Sequence, residues 1–206
     1  MSARRLGRTF FRQPTEVLAR ELIGCVLLSR EGGVAIAGRI VETEAYLSEG
    51  DAASHSHRGR TARNASMFGE PGLAYVYLIY GMHHCLNVVS AKSGVGEAVL
   101  IRSLQPLEGL DLMRERRGGV RDRELCRGPG KLAQAFGLTL EHDGLDLCRG
   151  PLGLWPGGGR WGALSEAVDI DAGPRVGIRK AAELPLRYRV RGSEWTSGSG
   201  GAGRFR

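Results

Sequence analysis

Apolar and polar positions alternate along this chain with two different periods. Val17, Leu18, Leu22 and Ile23 recur at helical spacing, so 14–23 is expected to be a helix. Pro14 and Thr15 offer start signals and Gly24 a stop. A strand is expected to begin at 26–28, a turn at Gly32 and Gly33, and a long extended run over 34–46. Within that run Ile40, Glu42, Glu44 and Tyr46 occupy one set of alternate positions, and Val41, Thr43 and Ala45 the other. Alternate residues of a strand share a face, so Glu42, Glu44 and Tyr46 should point the same way. The segment 47–72 is polar and rich in His, Ser, Arg and Gly. A loop of that length inside a compact domain is usually functional or disordered. LAYVYLI (73–79) is a strong strand signal. Tyr80-Gly81-Met82-His83 reads as a tight turn and 84–90 as the return strand, so the region predicts a hairpin. Further expectations are a strand over 98–104, a helix over 107–116, a basic loop over 118–130, a short helix over 131–138, and a last strand around Leu186, Tyr188 and Val190. The Gly/Ser-rich end, 197–206, is expected to be a disordered tail. The pattern shows no internal repeat and no inner domain boundary, so 1–196 reads as one domain.

Composition narrows this only modestly. A chain of 206 residues can bury a sizeable core without metal or disulfide staples. Its 42% hydrophobic content points neither to disorder nor to a membrane. Charge says more. The net charge is +7, and only Lys92, Lys131 and Lys180 are lysines, so arginine carries nearly all of it. The planar guanidinium fork suits phosphate oxygens, which makes a polyanionic partner one reading. Arginine used simply for solubility is the other. Residues 1–14 lack the apolar run of a secretory signal, and the apolar stretch around 22–28 is too short to span a bilayer. Cys25, Cys85, Cys126 and Cys148 are scattered without a CxxC pair, which argues against a redox or zinc motif and fits a reduced cytoplasm.

Several segments could carry chemistry. Arg39 to Tyr46 sets a carboxylate and an aromatic ring two residues apart on one strand face. The carboxylate could act as a base on water and the ring could hold a planar substrate. A solvent-facing strand with ordinary acids is the competing reading. Tyr75 and Tyr77 share a face in the next strand, and Tyr80 sits at the hairpin turn. Strand tyrosines commonly serve packing, but one at a hairpin tip has little sheet to be buried by. It could serve as a wedge between stacked bases. The histidines of Ser54-His55-Ser56-His57 and His83-His84-Cys85 match no standard zinc spacing. Gly128-Pro129-Gly130-Lys131 resembles half of a phosphate loop, but Leu132 stands where a Walker motif needs Ser or Thr. It reads either as a plain turn or as a helix start at which Gly130 and Lys131 contact one DNA phosphate.

Taken together, RIVETEAY (39–46), DAASHS (51–56), RNASMFGEPGLAYVYLIYGMHHCLNVV (63–89), VLIRSLQPLEGLDLMRERR (99–117), LCRGPGKLAQAFGL (125–138) and PLRYRVRGSEWTS (185–197) resemble the alkyladenine, or 3-methyladenine, DNA glycosylase family. The resemblance runs from about 8 to 197 and leaves out the termini and the loop 153–173. It implies that Glu44 is the general base activating water and that Arg102 lies near that water and the target nucleotide's backbone. It also implies that Tyr46, His55 and Tyr77 stack around a flipped base, that Tyr80 fills the gap left in the duplex, and that Asn87 disfavours the amino group of normal guanine. His83 and His84 depart from the aromatic residues that the family often carries there. The expected architecture is a single α/β (mixed α+β) domain with a curved, largely antiparallel sheet flanked by helices and a projecting hairpin. The expected activity is hydrolysis of the N-glycosidic bond of alkylated or deaminated purines in double-stranded DNA. No lyase step, no metal or other cofactor and no membrane partner are expected, and the protein should be a cytoplasmic or nucleoid-associated monomer. A hydrolase of free nucleosides and a non-catalytic damaged-DNA-binding module are the alternatives. Base release from alkylated duplexes and from free nucleosides separates them.

Overall fold

An eleven-residue strand, β2 (Ile36–Tyr46), organises the molecule and is buried on both faces along nearly its whole length. The computed structural model describes residues 4–162 and 168–198. Before β2 come α1 (Arg8–Phe11), α2 (Thr15–Glu21) and β1 (Val26–Ser29). After it come β3 (Ala74–Ile79), β4 (His83–Val89), β5 (Ala98–Glu108), α3 (Leu110–Arg116), α4 (Asp122–Leu125) and α5 (Pro129–Phe136). The short strands β6 (Leu152–Trp155), β7 (Ile170–Gly173) and β8 (Arg187–Val190) complete the sheet.

The sheet runs in the order β3-β4-β5-β2-β1-β6, with β8 joining β2 and β7 joining β8. The strand pairings are antiparallel. One edge of β2 is shared: Ile36 to Arg39 pair with β1, while Glu42 to Glu44 pair with β8. Helices cover the sheet with the apolar stripe the sequence predicts. Leu18 and Leu22 of the α2 region, Met113 of α3, and Leu132 and Phe136 of α5 join Ile40, Ile101 and Leu104 in one buried core. The architecture is therefore mixed α+β on a mostly antiparallel open sheet, as expected from the pattern.

Several elements differ from the sequence reading, α1 among them. β5 continues through Glu108, where a helix was expected from 107. Gly109 makes the break at φ 76°, packed so closely that a Cβ would lie 2.5 Å from the Ala35 carbonyl oxygen. The basic loop over 118–130 contains α4 and the start of α5. β6 and β7, four residues each, were not expected. Long loop 47–72 is folded around a 3-10 turn at Ala65–Phe68. Most of the expected tail, 199–206, lies outside the described residues, but Ser197 is described and is bonded into the sheet. Among the described residues no helix is long and apolar enough to cross a membrane.

Candidate active site

Two irregularities in the β2–β5 ladder build the floor of the site. The register steps from Ile40↔Leu104 to Glu42↔Ser103, passing Val41, and then to Thr43↔Ile101, passing Arg102. A residue passed over in this way is freed from its ladder position and re-aimed, a common device beside active sites. Arg102 shares the face of Glu42 and Glu44 by plain alternation from Leu100, the partner of Glu44, and the step brings Ser103 onto that face beside it. Its Nε lies 3.1 Å from Glu42 Oε1 and its Nη1 3.2 Å from Glu44 Oε2. Arg102 is thus a buried residue of an inner strand, not the strand-edge arginine its sequence context suggests. Neither acid faces solvent, so the reading of ordinary surface carboxylates fails: both are fully buried.

Glu42 is saturated with donors. Arg102 and Arg187 donate through their Nε atoms, Ser103 through its hydroxyl, and Ser197 through both its N–H and its hydroxyl. Burial alone would raise this carboxyl, but the two arginines and the Ser197 donors outweigh it and hold it below its ordinary range. Glu44 is served differently. Its Oε1 accepts the Val176 N–H at 2.7 Å, and its Oε2 takes the Tyr46 hydroxyl at 2.9 Å and Arg102. A carboxylate offers about four lone-pair sites. Among the described residues these donors leave one on Oε1, the position a water would need. Burial opposes the Arg102 charge, but Glu44 and then Glu42 more than compensate and hold it above the usual guanidinium value.

Above this floor lies a cavity of about 300 Å³. Tyr46, His55, Tyr77, Asn87, Tyr80, Arg102 and Gly130 all line it. Glu44 lies just beneath, held by three of the lining residues. Tyr77 and His55 meet edge to face with centroids 4.5 Å apart, and Tyr75 lies 5.4 Å from Tyr77. The Tyr75 hydroxyl shares a hydrogen bond of 2.8 Å with His55 Nδ1. Burial, and secondarily the Arg63 cation, keep His55 below the ordinary histidine range, so it is neutral near pH 7. Burial first, then Glu44, push the Tyr46 phenol well up, so it remains a donor to that carboxylate. Asn87 donates its amide to the Tyr75 carbonyl across the β3–β4 pair, which anchors its side chain at the cavity wall.

The rim is the hairpin. Tyr80 is 80% exposed, with Met82 exposed beside it. The backbone is at positive φ at both Tyr80 (54°) and Gly81 (70°), and the Met82 N–H closes the turn on Ile79. Mirror-image hairpin turns of this kind select Asn or Gly, so a tyrosine here is strained. Gly130 of α5 packs on the same hairpin, where a Cβ would come 3.1 Å from His83. Lys131 is not part of the cavity. Its Nζ is engaged by Glu124 at 2.5 Å, and Arg127 shares the same carboxylate.

Sequence reasoning assigned no site role to Tyr75, Cys85, Arg175, Val176, Gly177, Arg187 and Ser197. Tyr75 was visible as sharing a face with Tyr77. Cys85 faces Tyr77 across the same hairpin and was weighed only beside the histidines as a metal ligand, while the others arrive through long-range contacts and nothing local marks them out. His55 and His83 both line the cavity. Among the described residues no group of three or more His, Cys, Asp or Glu side chains could hold a metal ion.

The chain matches the family described as methylpurine-DNA glycosylase over residues 9–194. It is 52% identical over 193 residues to a protein of Rhodopseudomonas palustris strain BisB18, covering 94% of this chain and 90% of that one. It is 50% identical over 192 residues to one of Methanoculleus marisnigri, covering 93% and 98%. A protein of Granulibacter bethesdensis is 51% identical over 191 residues, covering 92% and 86%. All three relatives carry the provisional name 3-methyladenine DNA glycosylase.

Proposed function

The chain belongs to the methylpurine-DNA glycosylase family, and we propose that it releases 3-methyladenine, together with other alkylated or deaminated purines, from double-stranded DNA. As a member of that family it is a DNA glycosylase of base-excision repair. The observation that carries the finer reading is a buried carboxylate, Glu44, beneath a tyrosine-walled cavity that ends at an exposed, strained tyrosine.

A base inside a duplex hides its glycosidic bond and has to be swung out to be cut. Tyr80 then fills the gap, and the base enters between Tyr46, His55 and Tyr77. Alkylation puts positive charge on the ring, which favours tyrosine faces and improves the leaving group. A neutral His55 adds no opposing charge. Glu44 accepts a proton from water as the water oxygen bonds to C1′. The bond to the purine nitrogen breaks, its electron pair leaves with the base, and the carboxylate faces the developing oxocarbenium ion. Arg102 orients Glu44. Asn87, fixed by Tyr75, meets the edge where guanine alone has an amino group. Gly130 and the start of α5 face the backbone of the bound DNA, and Lys131 reaches a phosphate there once Glu124 releases it. The protein acts as a monomer, without a cofactor, in the cytoplasm or at the nucleoid.

The decisive assay compares base release from single-lesion duplexes with release from the corresponding free nucleosides. Duplex release that leaves strands intact until alkali is added is the expected outcome. Equal or faster cleavage of free nucleosides would make it a nucleoside hydrolase, and binding without release would make it a damage-recognition module.

A further inference from the structure

Asp51 opens the segment 51–56, which supplies Ala53 and His55 to the cavity wall. Its carboxylate grips the Arg175 guanidinium with two bonds, Nη1 to Oδ2 at 2.5 Å and Nη2 to Oδ1 at 2.6 Å. Both side chains are completely buried. Each partner also holds a wall of the cavity. Asp51 accepts the N–H groups of Leu47 and Ala53, each at 3.1 Å, and so shapes the turn that leads to His55. Arg175 donates to the Ala45 carbonyl at 2.9 Å, and its guanidinium carbon sits 4.6 Å from the centre of the Tyr46 ring. The next residue along is Val176, whose N–H donates to Glu44.

A pair buried this deeply is a poor way to gain stability, because removing two ions from water largely cancels their attraction. What a bidentate Arg–carboxylate pair does supply is fixed direction. Arg175 has its direction set by Asp51, its backbone leads straight into the donor on Glu44, and its guanidinium sits over the ring that also bonds Glu44. We infer that Asp51 and Arg175 form a positioning pair for the general base, setting the Glu44 carboxylate through Val176 and Tyr46. Neither residue lines the cavity itself. The inference rests on the reading of Glu44 as the base.

The test is single-turnover base release from a methylated duplex, with wild type, Asp51→Asn and Arg175→Lys, each also combined with Glu44→Gln. Asparagine keeps the shape of the pair without its charge, and lysine keeps the charge without the fork. A misplaced base of about 1 Å is costly, so each single variant should lose on the order of tenfold or more in the saturated rate. The half-saturating concentration should move less than about threefold, because the rings that stack on the base keep their other supports, His55 bonded to Tyr75 and Tyr46 to Glu44. In the Glu44→Gln background the same changes should cost nothing further, since there is no base left to position. Equal losses in both backgrounds, a rise in half-saturation that accounts for the loss, or both single variants failing to fold would make the pair structural and overturn the inference. A wild type that releases no base overturns the functional reading itself, whereas an active wild type with unimpaired variants overturns only the role of this pair.

Discussion

Glu42, at the floor of the cavity, is fully buried and accepts from Arg102, Arg187, Ser103 and Ser197. Tyr80, at its rim, is 80% exposed and holds a backbone conformation that tyrosine disfavours. The floor is over-determined: four segments distant in sequence converge on two carboxylates. The rim is under-determined: one hairpin turn carries a ring that nothing in the core needs. Each suits the task proposed for it. A carboxylate that takes a proton from water must be held within a fraction of an ångström, and redundancy of donors does that. A wedge must be free to leave solvent and enter DNA, so it cannot also be a core residue. Strain at Tyr80 persists because the sheet below closes the turn regardless.

The strongest way to break this contrast is to change the floor's chemistry while keeping its shape. Glu44→Gln removes the proton acceptor and retains the side chain's outline. Single-turnover release should fall by about 10²–10⁴-fold, while binding to lesion DNA stays near wild type. A near-normal rate would remove Glu44 from the chemistry.

Glu42→Gln should separate architecture from chemistry. Breaking a buried ion network leaves charge uncompensated, at a cost of about 3–5 kcal/mol. The sign with pH follows from the depressed Glu42 pKa. Its stabilisation is fully present above the unfolded glutamate value of about 4.3 and is lost as pH falls through the lower folded value. Thermal unfolding midpoints measured from pH 7 down to acid should therefore differ most at neutral pH and converge in acid. Curves that stay parallel would show that Glu42 is not ionised in the folded protein.

The same contrast decides what a sequence can reveal. The rim was legible because it is local: LAYVYLI, a turn and a return strand lie within one stretch. Glu44 and Tyr46 were legible because strand alternation puts them on one face. Arg175, Arg187 and Ser197 were not, because β8 and the segments around it reach β2 from more than 130 residues away, as in the Val176–Glu44 bond. With 29 basic residues in the chain, a single arginine carries no signal of its own. The bulge that brings Ser103 beside Arg102 on Glu42 was equally hidden, since a register step leaves no mark in composition. β6 and β7 were missed because four-residue strands in a Gly/Pro-rich stretch form only where β1 and β8 offer them a partner. Helix α3 was placed too early because Leu107 fits its apolar spacing, whereas Gly109 sets the actual break.

At the rim, Tyr80→Asn should cost no stability and should add up to about 1 kcal/mol, because Asn tolerates positive φ better than tyrosine does. Flipping should suffer instead. Unstacking costs a few kcal/mol per step and the ring offsets part of it, so the flipped fraction should fall by about tenfold. Fluorescence of a reporter base beside the lesion follows the first quantity, and thermal unfolding the second. An unchanged flipping equilibrium would show that the exposed ring is not the wedge.

The smallest effect should come from the charge beside the rim. Lys131 and Arg127 share the Glu124 carboxylate at 2.5 and 3.1 Å, so neither is free to meet a phosphate at full strength in the unbound protein. If this corner meets the DNA backbone, Glu124 competes with phosphate for the same cations. Glu124→Gln removes the competitor while keeping most of the packing. Half-exposed pairs of this kind are worth about 0–1 kcal/mol, so the fold should hardly notice. Binding to undamaged duplex should tighten a few-fold at low salt, and the log–log salt slope should steepen by about 0.9, the equivalent of one added phosphate contact. Lys131→Met should move the slope the other way, by less than one because the cation starts out partly neutralised. Fluorescence anisotropy across a salt series reads both variants. Unchanged slopes in both would detach the start of α5 from the DNA interface and leave its charge to solubility.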